Sequence, residues 1–145
     1  VVVEYEDFVV AGTHLEHTKE SARSAQVEII TDTLKSLYGS SKKPVFLCGD
    51  MNAGPNSSTL KLLQQDWTVL TPAKTTFPDK KWLEGMTVEP VSADETPGSC
   101  IDYILLLNNG AECEVVAADV CVRFESGSAF TASDHLPVYV DIRLQ

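Results

Sequence analysis

The most constraining feature of the sequence is a short apolar run that ends in an aspartate, "VFLCGD" at residues 45–50. Turn-forming residues bound this run, with Pro44 before it and a Gly-Pro pair shortly after it. An unbroken apolar strand of this length is typical of a strand that is covered on both faces of its sheet. The run therefore predicts a central strand of a layered protein, with Asp50 at the carboxyl end of the strand.

The segments around this strand predict the layers that cover it. Two β-rich stretches, "VVVEY" and "FVVAGTHL", flank an acidic pair and predict an opening hairpin. Residues 18–38 have helical periodicity, and one stripe carries the apolar residues Val27, Ile30, Leu34 and Leu37. A shorter helix is predicted at "NSSTLKLLQQ", which begins with residues that commonly cap helices.

The rest of the chain predicts one long loop and several strands. Residues 67–99 are rich in proline, threonine and glycine and have no sustained period, which predicts a surface loop with short strands. "CIDYILLL", "CEVVAADVCVRF" and "LPVYVDIRL" read as strands, and the middle one is long enough to admit a bulge. The order strand, helix, strand, helix and then several strands favours an α/β sandwich with a mixed sheet.

Length and charge limit what such a chain can do. Its 145 residues fit one domain, and no apolar run approaches the roughly 18 residues that a transmembrane segment needs. The formal net charge is −10, from 21 acidic and 11 basic residues. This charge disfavours non-specific binding of duplex DNA, because a polyanion is repelled at long range.

Polar residues stand at the ends of several predicted strands. They are His14, Asp50, Asn52, Asp102, Asp134 and His135. Each one alone has a simple structural explanation, since aspartate and asparagine favour turns and a strand-end histidine needs no catalytic role. Asp102 is the exception, because a carboxylate inside the apolar run "IDYI" is rarely buried without a partner. Loops at strand ends commonly carry binding groups, so these residues are expected to meet in one site.

Residue type and position predict a chemical role for each group. Asp50 and Asn52 are two residues apart at a strand end, so their side chains are predicted to face the same side. Asp102 is predicted to hold His135 by one ring nitrogen, which fixes the tautomer and raises the basicity of the ring. Asp50 would take a proton from water and Asn52 would donate to an oxyanion. Asp134 would point to the other side of the backbone and hold a metal.

Four segments together resemble the ordered signature of one enzyme family. They are "GTHLEH" with the arginine and glutamine of the following helix, "FLCGDMNAGPNS", "CIDYILL" and "SDHLPVYVDI". In this order they are similar to the motifs of the endonuclease/exonuclease/phosphatase superfamily, which has the deoxyribonuclease I-like fold. The resemblance implies a layered α/β/β/α sandwich with a mixed, largely antiparallel sheet. It also implies a phosphoesterase that uses Mg²⁺ or Mn²⁺ while water attacks phosphorus in line.

The resemblance implies roles for the central residues of the site. Asp50 matches the aspartate that activates or orients the nucleophile or holds a second metal. Asn52 matches the asparagine that binds phosphoryl oxygens and supports that aspartate. His135 matches a phosphate-contacting histidine, a general base or transition-state stabiliser, and Asp102 matches the carboxylate that orients this histidine.

Four further residues match family positions. Asp134 resembles a metal-site carboxylate. His14 resembles a histidine that contacts the phosphate or protonates the leaving group. Arg23 and Gln26 match a recurring pattern on the helix, and we interpret them as structural residues that bridge the helix to neighbouring backbone.

The resemblance also predicts what residues 1–145 lack. Family domains carry an N-terminal half with an asparagine and a metal-binding glutamate, and neither Glu4 nor Glu6 matches that glutamate. The chain is therefore expected to be the C-terminal portion of a single domain, with an apolar sheet face that the N-terminal half or a second copy would cover. The expected substrate is a phosphoester of a small molecule, a lipid head group or a nucleic acid, with a preference for the first two. The alternative is a non-catalytic interaction domain that retains the fold.

Overall fold

The structure, a computed structural model, describes residues 1–125 and 127–145. Its strands are β1 (Val2–Glu4), β2 (Val9–His14), β3 (Val45–Asp50), β4 (Trp67–Val69), β5 (Phe77–Pro78), β6 (Gly98–Ser99), β7 (Asp102–Leu107), β8 (Cys113–Val120), β9 (Arg123–Phe124), β10 (Gly127–Ser128) and β11 (Val138–Leu144). Its helices are α1 (Glu20–Tyr38), α2 (Ser58–Leu63) and α3 (Lys80–Gly85), with single 3₁₀ turns at Ala93–Glu95 and Ala129–Thr131. Within the described ranges, no helix has the length and apolar character to cross a bilayer.

A five-stranded sheet forms the centre of the molecule, in the order β1-β2-β3-β7-β4. The β2 and β3 strands run parallel and the other neighbours are antiparallel, so the sheet is mixed and largely antiparallel, as predicted. The "VFLCGD" run is β3, which lies in the middle of the sheet. A parallel pair needs a crossover connection, and α1 supplies it between β2 and β3.

Alternation along the central strands creates two apolar faces. One face packs beneath α1 and α2 and contributes Val9, Ala11, Val45, Leu47, Leu105 and Leu107 to the main core. The other face turns Phe8, Val10, Phe46, Cys48 and Ile104 toward β11. Residues that alternate in sequence thus pack against different layers, which explains why β3 has no polar residue before its end.

Helix α1 packs on the sheet with three of the predicted residues, Val27, Ile30 and Leu34. The fourth prediction was wrong, because Leu37 is 61% exposed and the stripe continues through Tyr38. The same face buries Thr31, whose hydroxyl oxygen accepts a hydrogen bond from the indole nitrogen of Trp67 at 3.0 Å. A polar side chain therefore occupies a core position of the helix, with its hydrogen-bonding capacity satisfied.

A second, two-stranded sheet of β8 and β11 lies against the other face of the central sheet. Its ladder shifts register between Asp141 and Ile142, where β8 has one extra residue, and β8 is the strand for which a bulge was predicted. The long loop is tied to β8 by Lys74, whose Nζ lies 2.9 Å from carboxylate oxygens of both Asp94 and Asp119. Hydrogen bonds to these two carboxylates raise the pKa of Lys74.

The long loop contains the predicted short strands and also an unpredicted helix. Strands β5 and β6 pair as a small ribbon within it. Helix α3 follows Asp79, whose carboxylate accepts from the backbone nitrogens of Lys81 at 2.8 Å and Trp82 at 3.1 Å. None of the α3 residues is fully buried, and the short helix has no apolar periodicity that would have predicted it from the sequence.

Candidate active site

Three of the predicted site residues form a row across the central sheet. His14 is the register partner of Asp50 in the parallel pair of β2 and β3. Asp50 is in turn the partner of Asp102 in the antiparallel pair of β3 and β7. Nε2 of His14 lies 3.4 Å from Oδ2 of Asp50. The three residues meet because each stands at the end of its strand that reaches this edge of the sheet.

The glycine before Asp50 makes this row sterically possible. Gly49 has φ +145, a backbone conformation that residues with a side chain rarely adopt. A Cβ atom at this position would lie 1.9 Å from the carbonyl oxygen of Thr13 on β2. The close approach of β3 to β2 therefore requires glycine next to the aspartate, which is a physical reason for the "GD" pair.

Asn52 supports Asp50 through its backbone and holds the residue that follows β2 through its side chain. The Asn52 N–H donates to Oδ1 of Asp50 at 2.7 Å, and Nδ2 of Asn52 donates to the carbonyl oxygen of Leu15 at 2.9 Å. The expected strand alternation does not apply here, because β3 ends at Asp50 and Asn52 has φ 47. The two residues are close because the chain turns sharply, and asparagine tolerates the left-handed conformation of that turn.

Asp102 and His135 form the predicted pair. Nδ1 of His135 lies 2.9 Å from Oδ2 of Asp102. The side chains are partly buried, at 31% exposure for the histidine and 16% for the aspartate. The ring of His135 also packs against Phe77, with 4.8 Å between the ring centroids. Since the Asp102 carboxylate accepts a hydrogen bond from Nδ1–H, the other ring nitrogen, Nε2, is left for a ligand.

Asp50, Asp102 and His135 also form a group that is able to hold a metal ion. Their potential ligand atoms all lie within 4.8 Å of one another. Two carboxylates at this spacing repel each other unless a cation, a proton or a hydrogen-bond donor compensates their charge. Asp134 is not part of this group; it is exposed, and its Oδ1 accepts from the Ser133 hydroxyl at 3.4 Å.

The family model described as "Endonuclease/Exonuclease/phosphatase family" matches residues 2–135. The chain belongs to this family. A comparison with curated protein sequences gave no match.

Several solved structures share the fold of this chain. An endonuclease/exonuclease/phosphatase from Bacteroides vulgatus has 19% identity and a TM-score of 0.66, over 95% of this chain and 51% of that one. A mannosyl-6-phosphatase from Bacteroides thetaiotaomicron has 21% identity and a TM-score of 0.61, over 94% of this chain and 51% of that one. A double variant of beta toxin from Staphylococcus aureus, with bound magnesium ions, has 18% identity and a TM-score of 0.59, over 96% of this chain and 55% of that one. The deoxyribonuclease I-like fold is confirmed, and the chain spans about half the length of these structures.

The arginine and glutamine of α1 have the structural role that we predicted for them. Oε1 of Gln26 accepts from the backbone nitrogen of Glu16 at 2.9 Å. Nη1 of Arg23 donates to the carbonyl oxygens of Glu16 at 3.1 Å and His17 at 3.2 Å. These bonds connect α1 to the backbone just after His14, so the two side chains of the helix fix the segment that follows β2.

Sequence reasoning missed the contribution of the long loop to the site. Phe77 belongs to this loop, and its ring contacts the predicted site residue His135. Trp82 packs instead on Phe130, with 6.0 Å between ring centroids. The residues around Phe77 carry no local signal for its contact, because His135 is distant from it in the sequence.

Proposed function

We propose that this chain supplies part of the active site of a divalent-metal-dependent phosphoesterase. The observation that carries the proposal is the meeting of two carboxylates and two imidazoles, Asp50, Asp102, His14 and His135, at one edge of the sheet. Membership of the endonuclease/exonuclease/phosphatase family and the likeness to a mannosyl-6-phosphatase support a hydrolytic role.

In the proposed reaction Asp50 orients the attacking water and accepts its proton. Oδ1 of Asp50 is held by the Asn52 N–H, so Oδ2 is the oxygen that faces the row. As the bond from water oxygen to phosphorus forms, the bond from phosphorus to the leaving oxygen breaks on the opposite side. His14, 73% exposed and beside Asp50, is placed to give a proton to the leaving oxygen.

His135 contacts a phosphoryl oxygen through Nε2 in this proposal. Asp102 accepts from Nδ1, which holds the ring in one orientation and balances the charge of a doubly protonated ring. Such a ring donates a hydrogen bond to the oxygen that gains negative charge as the reaction proceeds. Asn52 is proposed to act at the same phosphoryl group, beyond its support of Asp50.

The proposed cofactor is Mg²⁺ or Mn²⁺, and the donors of this chain fit it in type. Asp50 and Asp134 are the carboxylates that we propose as ligands, and Asp102 lies within reach of Asp50. Carboxylate oxygens are the donors that these hard ions prefer, while water or other residues complete an octahedral shell. When bound, the ion would neutralise charge on the phosphoryl group. Magnesium in the structure of the related beta toxin supports the assignment.

The proposed substrate is a small or lipid-like phosphoester. The net charge of −10 disfavours long-range attraction of a polyanion. Two lysines of the long loop, Lys80 and Lys81, are exposed on α3. The structure described as a mannosyl-6-phosphatase has the same fold over 94% of this chain, which supports a compact substrate.

The test of this function is hydrolysis of two chromogenic substrates, bis(p-nitrophenyl) phosphate and p-nitrophenyl phosphate. We expect turnover with Mg²⁺ or Mn²⁺ and none after chelation. The assay compares the chain alone with a protein in which the chain is extended upstream in its gene to the length of its relatives. Absence of metal-dependent turnover in both proteins, with either substrate, would favour the non-catalytic alternative.

The apolar cleft between the two sheets is the proposed docking site for the other half of the domain. The cleft has a volume of about 370 Å³ and is closed on one side by Val140, Ile142 and Leu144 of β11. β11 pairs only with β8 among the described strands, so its other edge offers backbone groups to a further strand. The half-length coverage of the solved relatives supports this occupant over a second copy of the chain.

A dye that fluoresces on apolar surfaces tests the cleft. The chain alone is expected to bind anilinonaphthalene sulfonate, and Ile142→Glu is expected to reduce the binding because it places a charge in the cleft. Tyr139→Glu is the matched control, since Tyr139 lies on the opposite face of β11 and is already 42% exposed. Sedimentation velocity identifies a self-dimer, the competing occupant. A chain that is monomeric and binds no dye would contradict the proposal.

A further inference from the structure

Thr76 is a buried polar residue of the long loop that reaches the site from outside the central sheet. Its side chain is 1% exposed. Oγ1 accepts hydrogen bonds from two consecutive backbone nitrogens, Ile101 at 3.0 Å and Asp102 at 3.1 Å. The threonine hydroxyl thus holds the chain where β7 begins, at the carboxylate that partners His135.

The backbone of Thr76 reaches the other member of the pair. Its carbonyl oxygen accepts from the backbone nitrogen of Leu136 at 2.7 Å, and its own N–H donates to the carbonyl oxygen of Ser99 at 3.0 Å. Leu136 follows His135 directly and is buried. One residue therefore fixes the backbone beside both Asp102 and His135, which are 33 positions apart in the sequence.

The next residue, Phe77, lies against the ring of His135. The two ring centroids are 4.8 Å apart and the rings are tilted by 46°. Phe77 is held in turn by its pairing with Ser99 in the ribbon of β5 and β6. This ribbon needs Gly98, because a Cβ atom there would lie 2.3 Å from the carbonyl oxygen of Phe77.

We propose that Thr76 and Phe77 are positioning residues for the Asp102–His135 pair. Thr76 sets the separation of the two backbones through three hydrogen bonds, and Phe77 limits rotation of the imidazole. Neither residue takes part in the proton transfers proposed above. The effect on catalysis rests on the proposed phosphoesterase function, while the effect on the geometry of His135 does not. An error of about 1 Å in the placement of a catalytic group costs up to ~10²-fold in rate.

The first experiment is nuclear magnetic resonance of the chain itself at fixed pH. Thr76→Val keeps the side-chain shape and removes the acceptor, whereas Thr76→Ser keeps the acceptor. We expect Thr76→Val to shift the Asp102 amide and the His135 ring resonances and to weaken the Overhauser contact between the rings of His135 and Phe77. Thr76→Ser should restore the wild-type spectrum at these positions.

Thr71→Val is the matched control. Thr71 is also a buried threonine, 7% exposed, and its Oγ1 accepts from the backbone nitrogen of Ile104 on β7 at 3.4 Å. Its loss disturbs the same strand away from the pair, so the His135 ring signals should stay in place. Equal shifts from Thr71→Val and Thr76→Val, or unchanged His135 signals in a folded Thr76→Val chain, would overturn the proposal.

Phe77→Leu tests the proposal if Thr76→Val does not fold. The loss of the aromatic ring is expected to shift the His135 ring protons and to broaden them as the imidazole samples more than one rotamer. Sharp His135 signals with only the loss of the ring-current shift would overturn the positioning role of Phe77.

A kinetic comparison uses whichever form of the protein hydrolyses phosphoesters. In that form Thr76→Val should lower kcat by about 10- to 10²-fold at unchanged KM. If neither the chain alone nor the extended protein hydrolyses a phosphoester, the proposed function fails. The magnetic resonance spectra of His135 still decide whether Thr76 and Phe77 position the ring.

Discussion

Replacing Asp50 with asparagine is expected to lower the rate of metal-dependent phosphoester hydrolysis by at least about 10²-fold, the usual loss for a proton-transfer group. The carboxylate stands between His14 and Asp102 in the row across the sheet. An asparagine can keep the bond from the Asn52 N–H with its amide oxygen. Its amide nitrogen would then face the row, where it neither accepts a proton from water nor binds a metal ion. The loss should therefore appear in kcat/KM without a loss of folding.

Asp66→Asn is the control for this prediction. Asp66 also has a basic partner, with Oδ1 2.5 Å from Nζ of Lys35, but it lies outside the candidate site. Its substitution removes the same charge and should leave kcat/KM near the wild-type value. The measurement is initial rates with bis(p-nitrophenyl) phosphate at saturating Mg²⁺ and again at saturating Mn²⁺, in whichever form of the protein is active. Wild-type activity in Asp50→Asn would remove this carboxylate from the mechanism.

The layers of the fold were predictable because the residue pattern of a central strand indicates whether each face of the strand is buried. The β3 run has no polar residue before its end, and both faces are covered, one by α1 and α2 and the other by the β8–β11 sheet. The strand ends were predictable because the apolar run stops there at a polar residue, such as Asp50. The cluster of His14, Asp50 and Asp102 then follows from topology, since β2 and β3 run parallel and β7 runs antiparallel between the same layers.

The details of the site depend on contacts that have no local signature. Asn52 was expected to share a face with Asp50 by strand alternation, yet the strand had ended and a left-handed turn makes the contact. Thr31 occupies a core position of α1, where the Trp67 indole, 36 positions away in the sequence, donates a hydrogen bond to it. Thr76 likewise acts through backbone groups 25 and 26 positions away. Nothing in the residues around a buried threonine indicates such distant partners.

The change expected to have the largest effect on stability is Gly49→Ala. A Cβ atom at residue 49 would meet the Thr13 carbonyl oxygen at 1.9 Å, and the backbone has φ +145. Relief of the clash requires β2 and β3 to separate, which would weaken the parallel ladder that aligns His14 with Asp50. Backbone strain of roughly 1–3 kcal/mol and overpacking of similar size lead us to expect a loss of about 3 kcal/mol or more in the free energy of unfolding.

Gly12→Ala separates this steric effect from the general effect of adding a methyl group to a strand glycine. Gly12 lies on β2 beside Cys48, one residue pair from Gly49, and a Cβ atom there would meet nothing within 4 Å. Its substitution should change the free energy of unfolding by less than about 1 kcal/mol, with the stabilising sign that a less flexible unfolded chain gives. Urea unfolding of both variants, followed by circular dichroism, measures the difference. Equal midpoints for Gly49→Ala and Gly12→Ala would mean that the strands part without cost, and the rigid spacing that we assign to the glycine-aspartate pair would be wrong.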